Sequence, residues 1–177
     1  MGDGVLAAPC ERDRLIVELF LATGIRLEEL TNLTVDDMQE AADGVLLHVQ
    51  GKGRKDRVVP VDTPNKPLSR RLKRYISHGR PRSSDRSLFL TLSRVGGEHH
   101  GLTRRGTQEI LRRLARTTGL EVHAHRFRHT FATRAIHAGV NPLILQRVLG
   151  HTSQRMTSRY VHLLGEDVLR EWAGRRD

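Results

Sequence analysis

Apolar residues recur at helical spacing near the start of the chain, and the pattern breaks at a glycine. Four of them form one stripe between residues 11 and 23, which predicts a core-facing helix. The stripe consists of Leu15, Ile16, Leu19 and Phe20. Gly24 supplies a C-terminal stop. Helical character resumes in RLEELTNL, so the pattern places Arg26 at the start of a second helix, where a turn holds it.

Two short segments have the composition of strands. Residues 45–50 (VLLHVQ) and 56–61 (DRVVPV) are rich in β-branched residues, and GKGRK separates them. The two glycines of this connection permit the positive φ values of a tight hairpin loop. The pattern therefore predicts an antiparallel hairpin with Lys52 at its tip.

The remaining periodic segments predict further helices. They cover residues 64–84, 103–117, 125–138, 141–150, 153–161 and 166–173. Thr103 and Asn141 are the predicted N-caps of two of them. The helix over 64–84 carries seven basic residues and no acid, which predicts a basic outer face. We expect one α+β domain over residues 1–177, mainly α-helical, with a small antiparallel β-hairpin or three-stranded sheet.

Charge narrows the class of partner. The 177 residues carry a formal net charge of +10, which favours a polyanion as partner, above all nucleic acid.

The single cysteine, Cys10, excludes an internal disulfide framework. No apolar run reaches the roughly 20 residues of a membrane span and no signal peptide is recognisable, so we expect an intracellular, soluble chain.

The run AHRFRHTFATR concentrates candidate chemistry on one helix. His125 and Arg128 are three residues apart and share a face, whereas Phe127 and Phe131 form an apolar stripe suited to the core. A solvated basic face of a DNA-binding protein accounts for this run equally well when it is taken alone. Whether this helix carries catalytic residues or only a DNA-binding surface is decided by other residues in the chain.

Arg26, Lys52, His151 and Tyr160 complete a set without a carboxylate that is suited to phosphoryl transfer. Two guanidinium groups stabilise the charge that grows on non-bridging phosphate oxygens, and this electrostatic contribution is worth several kcal/mol. A tyrosine is then the nucleophile, because cationic neighbours or an imidazole help its phenol to ionise.

Four motifs occur in the order and spacing of one family. TGIRLEEL, GKGRKDRVVP, HRFRHTFAT and LGHTSQRMTSRY, between about residues 12 and 165, resemble those of the tyrosine recombinases, which include phage integrases and the recombinases that resolve chromosome dimers. The resemblance implies a site-specific DNA recombinase that forms a covalent 3′-phosphotyrosyl intermediate without metal or other cofactor. It also implies double-stranded DNA as partner, a homotetramer on DNA that is a monomer when free, and a cytoplasmic location, at the nucleoid in a prokaryote.

The resemblance assigns a role to each site residue. Arg26 and Arg128 correspond to the arginines that clamp the scissile phosphate, and Lys52 to the lysine that protonates the leaving 5′-oxygen. His125 corresponds to the residue that assists proton transfer at the nucleophile and His151 to a phosphate hydrogen-bond donor. Tyr160 corresponds to the nucleophile.

Two other residues receive supporting roles. Glu29 is expected to be a structural support rather than a reactant, and Tyr75, the only other tyrosine, is expected to pack or to contact DNA.

Two departures from the family pattern concern packing and length. Phe127 replaces a leucine that commonly precedes the second arginine. The family's N-terminal DNA-clamp domain is expected to be absent, and residues 1–10 are expected to be a poorly ordered extension. The chain is then a compact recombinase, a catalytic fragment or a decayed copy, and these three alternatives stay open.

Residues 166–177 are expected to form a tail helix that docks on a neighbouring subunit through Val168, Leu169 and Trp172.

Other functions compete with this interpretation. A type IB topoisomerase shares the phosphotyrosine chemistry, and an inactive DNA-binding remnant explains the charge alone. A zinc site on His123, His125 and His129 lacks the intervening glutamate of a zincin helix. GKGRK lacks the spacing of a nucleotide-binding loop, and the adjacent Asp36 and Asp37 do not suit a two-metal nuclease.

Overall fold

A computed structural model describes residues 10–41, 44–51, 56–61 and 67–150. In this part of the chain the helices are α1 (Glu11–Thr23), α2 (Leu27–Asn32), α3 (Pro67–Arg74), α4 (Arg104–Thr118), α5 (Ala124–His137) and α6 (Pro142–Leu149). The strands are β1 (Met38–Ala41), β2 (Gly44–Val49) and β3 (Arg57–Pro60). A 3-10 turn, Val35–Asp37, precedes β1, and a π-helical turn, Tyr75–Gly79, extends α3. The expected α+β, mainly helical architecture is confirmed.

The sheet is antiparallel with the order β1-β2-β3. Leu47 in the central strand pairs with Met38 on one side and Val59 on the other. Val45, Leu47 and Val49 are buried while His48 is exposed, so β2 has the alternation of a strand with one face on the core. The three-stranded form of the expected sheet is therefore the one observed, and β1 is the strand that sequence periodicity did not indicate.

α1 lies at the centre of the main core. Leu15, Ile16, Leu19 and Phe20 are fully buried, as the apolar stripe predicted. Phe20 stacks on Phe127 of α5, with ring centroids 5.9 Å apart and planes 6° from parallel. This contact fixes the α5 helix against α1.

The end of α1 sits tightly between α5 and α6. Gly24 has a φ of 61°, and a Cβ atom at this position would lie 2.5 Å from Cδ1 of Phe131 and 3.0 Å from Cδ2 of Leu149. Only glycine meets both the left-handed backbone and the lack of space. The predicted stop is confirmed, and it brings three helices together beside Arg26.

The predicted helix over 64–84 is wrong at its C-terminal end. Helical structure ends at Gly79, and Arg80 is extended with a ψ of 129°, because Pro81 follows it and disfavours the α conformation of the residue before it. The side chain of Arg80 donates to the carbonyl of Ser87, so this residue ties a loop and is not part of a basic helix face.

The basic residues of α3 also have acidic partners on other elements. Three ion pairs link the helix to α1 and β1: Arg71 with Glu18 at 2.6 Å, Lys73 with Glu40 at 2.8 Å and Arg74 with Glu11 at 2.8 Å. The predicted basic outer face is therefore partly neutralised.

α4 is joined to α1 by buried charge. Asp13 is 2% exposed and accepts hydrogen bonds from Arg12 and Arg113. Thr103 caps α4 by accepting from the N–H of Gly106, as predicted, and Ile110 and Leu111 are buried. None of the helices in the described residues is long and apolar enough to cross a membrane.

Candidate active site

A cavity of about 440 Å³ opens between the start of α2, one face of α4 and the start of α5. Three residues predicted to carry chemistry line it: Arg26, His125 and Arg128. Its other polar lining comes from Arg104, Gln108, Arg112 and His123, and no acidic residue is among the described residues that line it. Four guanidinium groups in one concave surface suit an anion. Two of them already have acidic partners outside the lining, because Arg104 pairs with Glu28 at 2.9 Å and Arg112 with Glu109 at 3.0 Å.

Arg26 is held at the first turn of α2. It is the N-cap residue, with extended backbone, and its Nη1 donates to Oε1 of Glu29 at 2.8 Å. Its Nη2 lies 3.2 Å from the carbonyl oxygen of Gly150. The side chain is 43% exposed, so the guanidinium is both oriented by protein contacts and accessible from the cavity.

Glu29 connects Arg26 to the sheet. Its carboxylate accepts from the backbone N–H of Arg26 at 2.7 Å and from both Nη atoms of Arg57 at 2.8 Å. Burial opposes ionisation of Glu29, but hydrogen bonds from Arg57 and Arg26 outweigh it and lower its pKa to about 2. These contacts confirm the interpretation of Glu29 as a structural support.

The low pKa of Glu29 predicts a pH-dependent stability. A carboxylate whose folded pKa is depressed stabilises the fold above its unfolded pKa, and this contribution is lost as the pH falls from about 4.5 towards about 2. Between pH 7 and pH 3 the free energy of unfolding should fall by about 2 kcal/mol more in the unmodified chain than in Glu29→Gln. Urea unfolding at both pH values measures this difference, and equal losses in the two proteins would contradict it.

Arg128 is buried rather than solvated. It is 7% exposed, its Nη1 donates to the carbonyl of Gly24 at 2.7 Å, and its Nη2 donates to the carbonyl of Leu149 at 2.5 Å. His125, one turn earlier on α5, is exposed. The interpretation of this helix as a simple solvated basic face is therefore wrong for Arg128, which reaches the cavity from the interior.

Three arginines bind the C-terminal end of α6. Nε of Arg57 donates to the carbonyl of Val148 at 2.7 Å, Arg128 donates to that of Leu149 and Arg26 to that of Gly150. The last carbonyls of a helix have no partner within it and carry partial negative charge, so cations stabilise them. The residue that follows this anchored end in the sequence is His151.

Sequence reasoning missed Arg57, although a signal was present. Arg57 and Val59 are two residues apart in β3 and so share a face, and Val59 is fully buried. A charged residue on the core face of a strand requires a partner, and here the partner is Glu29.

Of the other candidate residues, the structure describes some and not others. Lys52, His151, Tyr160 and the predicted helices after residue 150 lie outside the described residues. Tyr75 is 2% exposed and packs against Phe89 with ring centroids 5.6 Å apart, which confirms a packing role. Burial raises the pKa of Tyr75 to about 12.

His123, His125 and His129 are the histidines that were considered for a zinc site. Across residues 10–41, 44–51, 56–61 and 67–150, no three side chains of His, Cys, Asp or Glu converge as metal ligands do. His123 instead is the N-cap of α5, where its side chain accepts from the N–H of Arg126.

Comparisons with known proteins agree on one family. The model of the phage integrase family matches residues 5–166. The tyrosine recombinase XerC of Staphylococcus aureus strain JH9 is 36% identical over 159 residues, which are 89% of this chain and 51% of that protein. The chain thus spans about half the length of the curated relatives it matches.

Solved structures share the fold. XerA recombinase superposes with a TM-score of 0.74 at 26% identity, over 97% of this chain and 59% of that one. XerH recombinase, in a post-cleavage complex with a palindromic difH substrate, superposes with a TM-score of 0.72 at 26% identity, over 92% of this chain and 45% of that one.

Proposed function

This chain belongs to the phage integrase family of tyrosine recombinases, and we propose on that premise that it cuts and rejoins DNA at a specific site. The proposed reaction passes through a covalent 3′-phosphotyrosyl intermediate on Tyr160. The chain supplies the catalytic domain for this reaction. Its catalytic residues are Arg26, Lys52, His125, Arg128, His151 and Tyr160.

One observation supports the proposal most strongly. Arg26 and Arg128, which are 102 positions apart in the sequence, line the same cationic cavity and donate to adjacent carbonyls, those of Gly150 and Leu149. Two guanidinium groups fixed in this way are preorganised for the two non-bridging oxygens of one phosphodiester. A solvated DNA-binding surface does not require an arginine that is 7% exposed.

The reaction balances without a cofactor. The phenolic oxygen of Tyr160 attacks the scissile phosphorus, the phosphorus–O5′ bond breaks, and Lys52 gives a proton to the departing 5′-oxygen. His125 accepts the phenolic proton and His151 donates a hydrogen bond to a phosphate oxygen. A 5′-hydroxyl from a second strand then gives its proton to Lys52 and attacks the phosphorus, while His125 returns a proton to the departing oxygen of Tyr160. The number of phosphodiester bonds is therefore conserved.

Double-stranded DNA is the proposed partner, with four copies of the chain assembled on it. The net charge of +10 and the cationic cavity suit a polyanion. XerH, a structural relative at 26% identity, is bound to its difH substrate after cleavage. The proposed tetramer exchanges strands through a four-way junction.

A nicked duplex tests the proposed reaction. When the strand is cut near a nick, the short 5′-hydroxyl fragment diffuses away and the covalent adduct accumulates. The 177-residue chain, incubated with a pool of nicked duplexes of randomised sequence and without divalent metal, should give a detergent-resistant protein–DNA band. Sequencing of the trapped DNA should reveal one preferred site.

Two other outcomes of this experiment would each indicate a different function. DNA binding that weakens with salt but gives no covalent band would identify an inert DNA-binding module. Relaxation of a supercoiled plasmid that lacks the selected site would identify a type IB topoisomerase. Either result would overturn the proposed function.

A further inference from the structure

Arg57 lies at the junction of β3, α2 and α6, and the ends of the two helices contact the proposed catalytic residues Arg26 and Arg128. It is the first residue of β3, its side chain is 10% exposed, and it uses all three guanidinium nitrogens. Nε donates to Val148 at the end of α6, whereas Nη1 and Nη2 donate to the two carboxylate oxygens of Glu29 in α2. One side chain thus links the sheet to two helix ends.

The contact with Glu29 reaches Arg26 through shared atoms. Oε1 of Glu29 accepts from both Arg57 and Arg26 at 2.8 Å, and Oε2 accepts from Arg57 and from the backbone N–H of Arg26. A rotation of the carboxylate would therefore move the Arg26 guanidinium. Because a planar bidentate pair resists such rotation, Arg57 fixes the orientation of Glu29.

The contact with Val148 fixes the C-terminal end of α6. It holds the α6 end whose next two carbonyls accept from Arg128 and Arg26. Gly150 packs closely against Arg57, since a Cβ atom at position 150 would lie 3.1 Å from Nη1 and 3.2 Å from Cδ of the arginine. Gly150, the residue before His151 in the sequence, is thus packed directly on this guanidinium.

We infer that Arg57 is a positioning residue for phosphodiester cleavage, which aligns Arg26 through Glu29 and aligns the end of α6 through Val148. This inference rests on the proposed function. Lysine cannot replace Arg57, because one ammonium group cannot reproduce a planar bidentate pair together with a third, in-plane hydrogen bond.

The test compares Arg57→Lys with Arg86→Lys, which removes a bidentate pair elsewhere. Arg86 binds Asp36 through two nitrogens, and both side chains are about two-thirds exposed. At saturating protein, Arg57→Lys should cleave the selected nicked duplex about 100-fold more slowly, as expected when reacting groups are misplaced by about 1 Å. DNA affinity should change less than about threefold. Arg86→Lys should cleave at the unmodified rate.

A neutral substrate separates positioning from loss of folded protein. A methylphosphonate at the scissile position lacks the charge that Arg26 is proposed to neutralise. On this duplex the deficit of Arg57→Lys should shrink at least about tenfold, whereas a smaller folded fraction would lower the rates on both duplexes by the same factor. An unchanged deficit, or cleavage of the ordinary duplex within about threefold of the unmodified rate, would overturn the inference.

A second pair of variants disturbs Arg57 without changing its charge. Gly150 and Gly119 both end helices, with φ of 63° and 68°, but a Cβ atom at Gly119 meets nothing within 4 Å. Gly150→Ala should lower the cleavage rate at least about tenfold more than Gly119→Ala, because only the former displaces the guanidinium. Equal rates in these two variants would also overturn the inference. If the unmodified chain gives no adduct, the proposed function fails before Arg57 is tested.

Discussion

Replacement of Tyr160 by phenylalanine is expected to abolish the covalent protein–DNA adduct completely. Phenylalanine keeps the ring and removes only the oxygen that is proposed to attack. DNA affinity should therefore remain within about threefold of the unmodified value, because the cationic contacts are unchanged. Electrophoresis under denaturing conditions with the nicked duplex measures the adduct, and a binding titration at the same salt concentration measures affinity.

The chain provides its own control for this substitution. It contains two tyrosines, and the described one, Tyr75, is 2% exposed with a pKa raised to about 12 by burial. Such a phenol neither reaches DNA nor ionises near neutral pH. Tyr75→Phe should therefore form the adduct at the unmodified rate, and an adduct that survives in Tyr160→Phe would exclude Tyr160 as the nucleophile.

Replacement of Arg128 by alanine is expected to affect both cleavage and stability. The catalytic loss should be about 10³-fold or more, because a preorganised cation is removed from the developing charge. The free energy of unfolding should fall by about 2 to 4 kcal/mol, since two buried carbonyls, those of Gly24 and Leu149, lose their donor. Single-turnover cleavage and urea unfolding measure the two losses separately.

Arg80 is the matched control for Arg128. Its half-buried guanidinium also donates to a backbone carbonyl, that of Ser87, and it does not belong to the set that lines the cavity. Arg80→Ala should lower stability but leave the cleavage rate of the folded protein unchanged. If Arg80→Ala and Arg128→Ala lost the same fraction of the cleavage rate, the role of Arg128 would be structural alone.

The local features of the fold followed from the sequence. Gly24 ends α1 because a left-handed residue was needed there, and Thr103 and Asn141 cap helices as their side chains predicted. Arg26 lies at the start of α2 for the same local reason. Each of these features depends on residues within one turn, which is the range over which sequence patterns are informative.

Features that depend on contacts between residues far apart in the sequence could not be predicted from the sequence. Acidic partners for α3 come from α1 and β1, so a count of charges within residues 64–84 overestimated its basic face. Burial of Arg128 depends on α1 and α6 ending at the same point. Arg57 was missed because its partner Glu29 is 28 positions away, and only the core-facing register of β3 indicated that a partner was required.

The C-terminal end of α6 has two roles. The carbonyls at the end of α6 bind three guanidinium groups, and two of these line the cavity. Because the same carbonyls immediately precede His151 in the sequence, we propose that folding of α6 orders the arginines and positions this histidine together. Preorganisation of this kind lowers the cost of assembling charges around a phosphate.

The chemical structure of the trapped adduct identifies the nucleophile and the DNA end to which it is joined. The adduct should be digested with trypsin, and the DNA-linked peptide should be identified by mass spectrometry. We expect a peptide that contains Tyr160 joined to a DNA 3′-phosphate, with a free 5′-hydroxyl on the released strand. A linkage at another residue, or cleaved DNA with a 5′-phosphate and a free 3′-hydroxyl, would contradict this prediction.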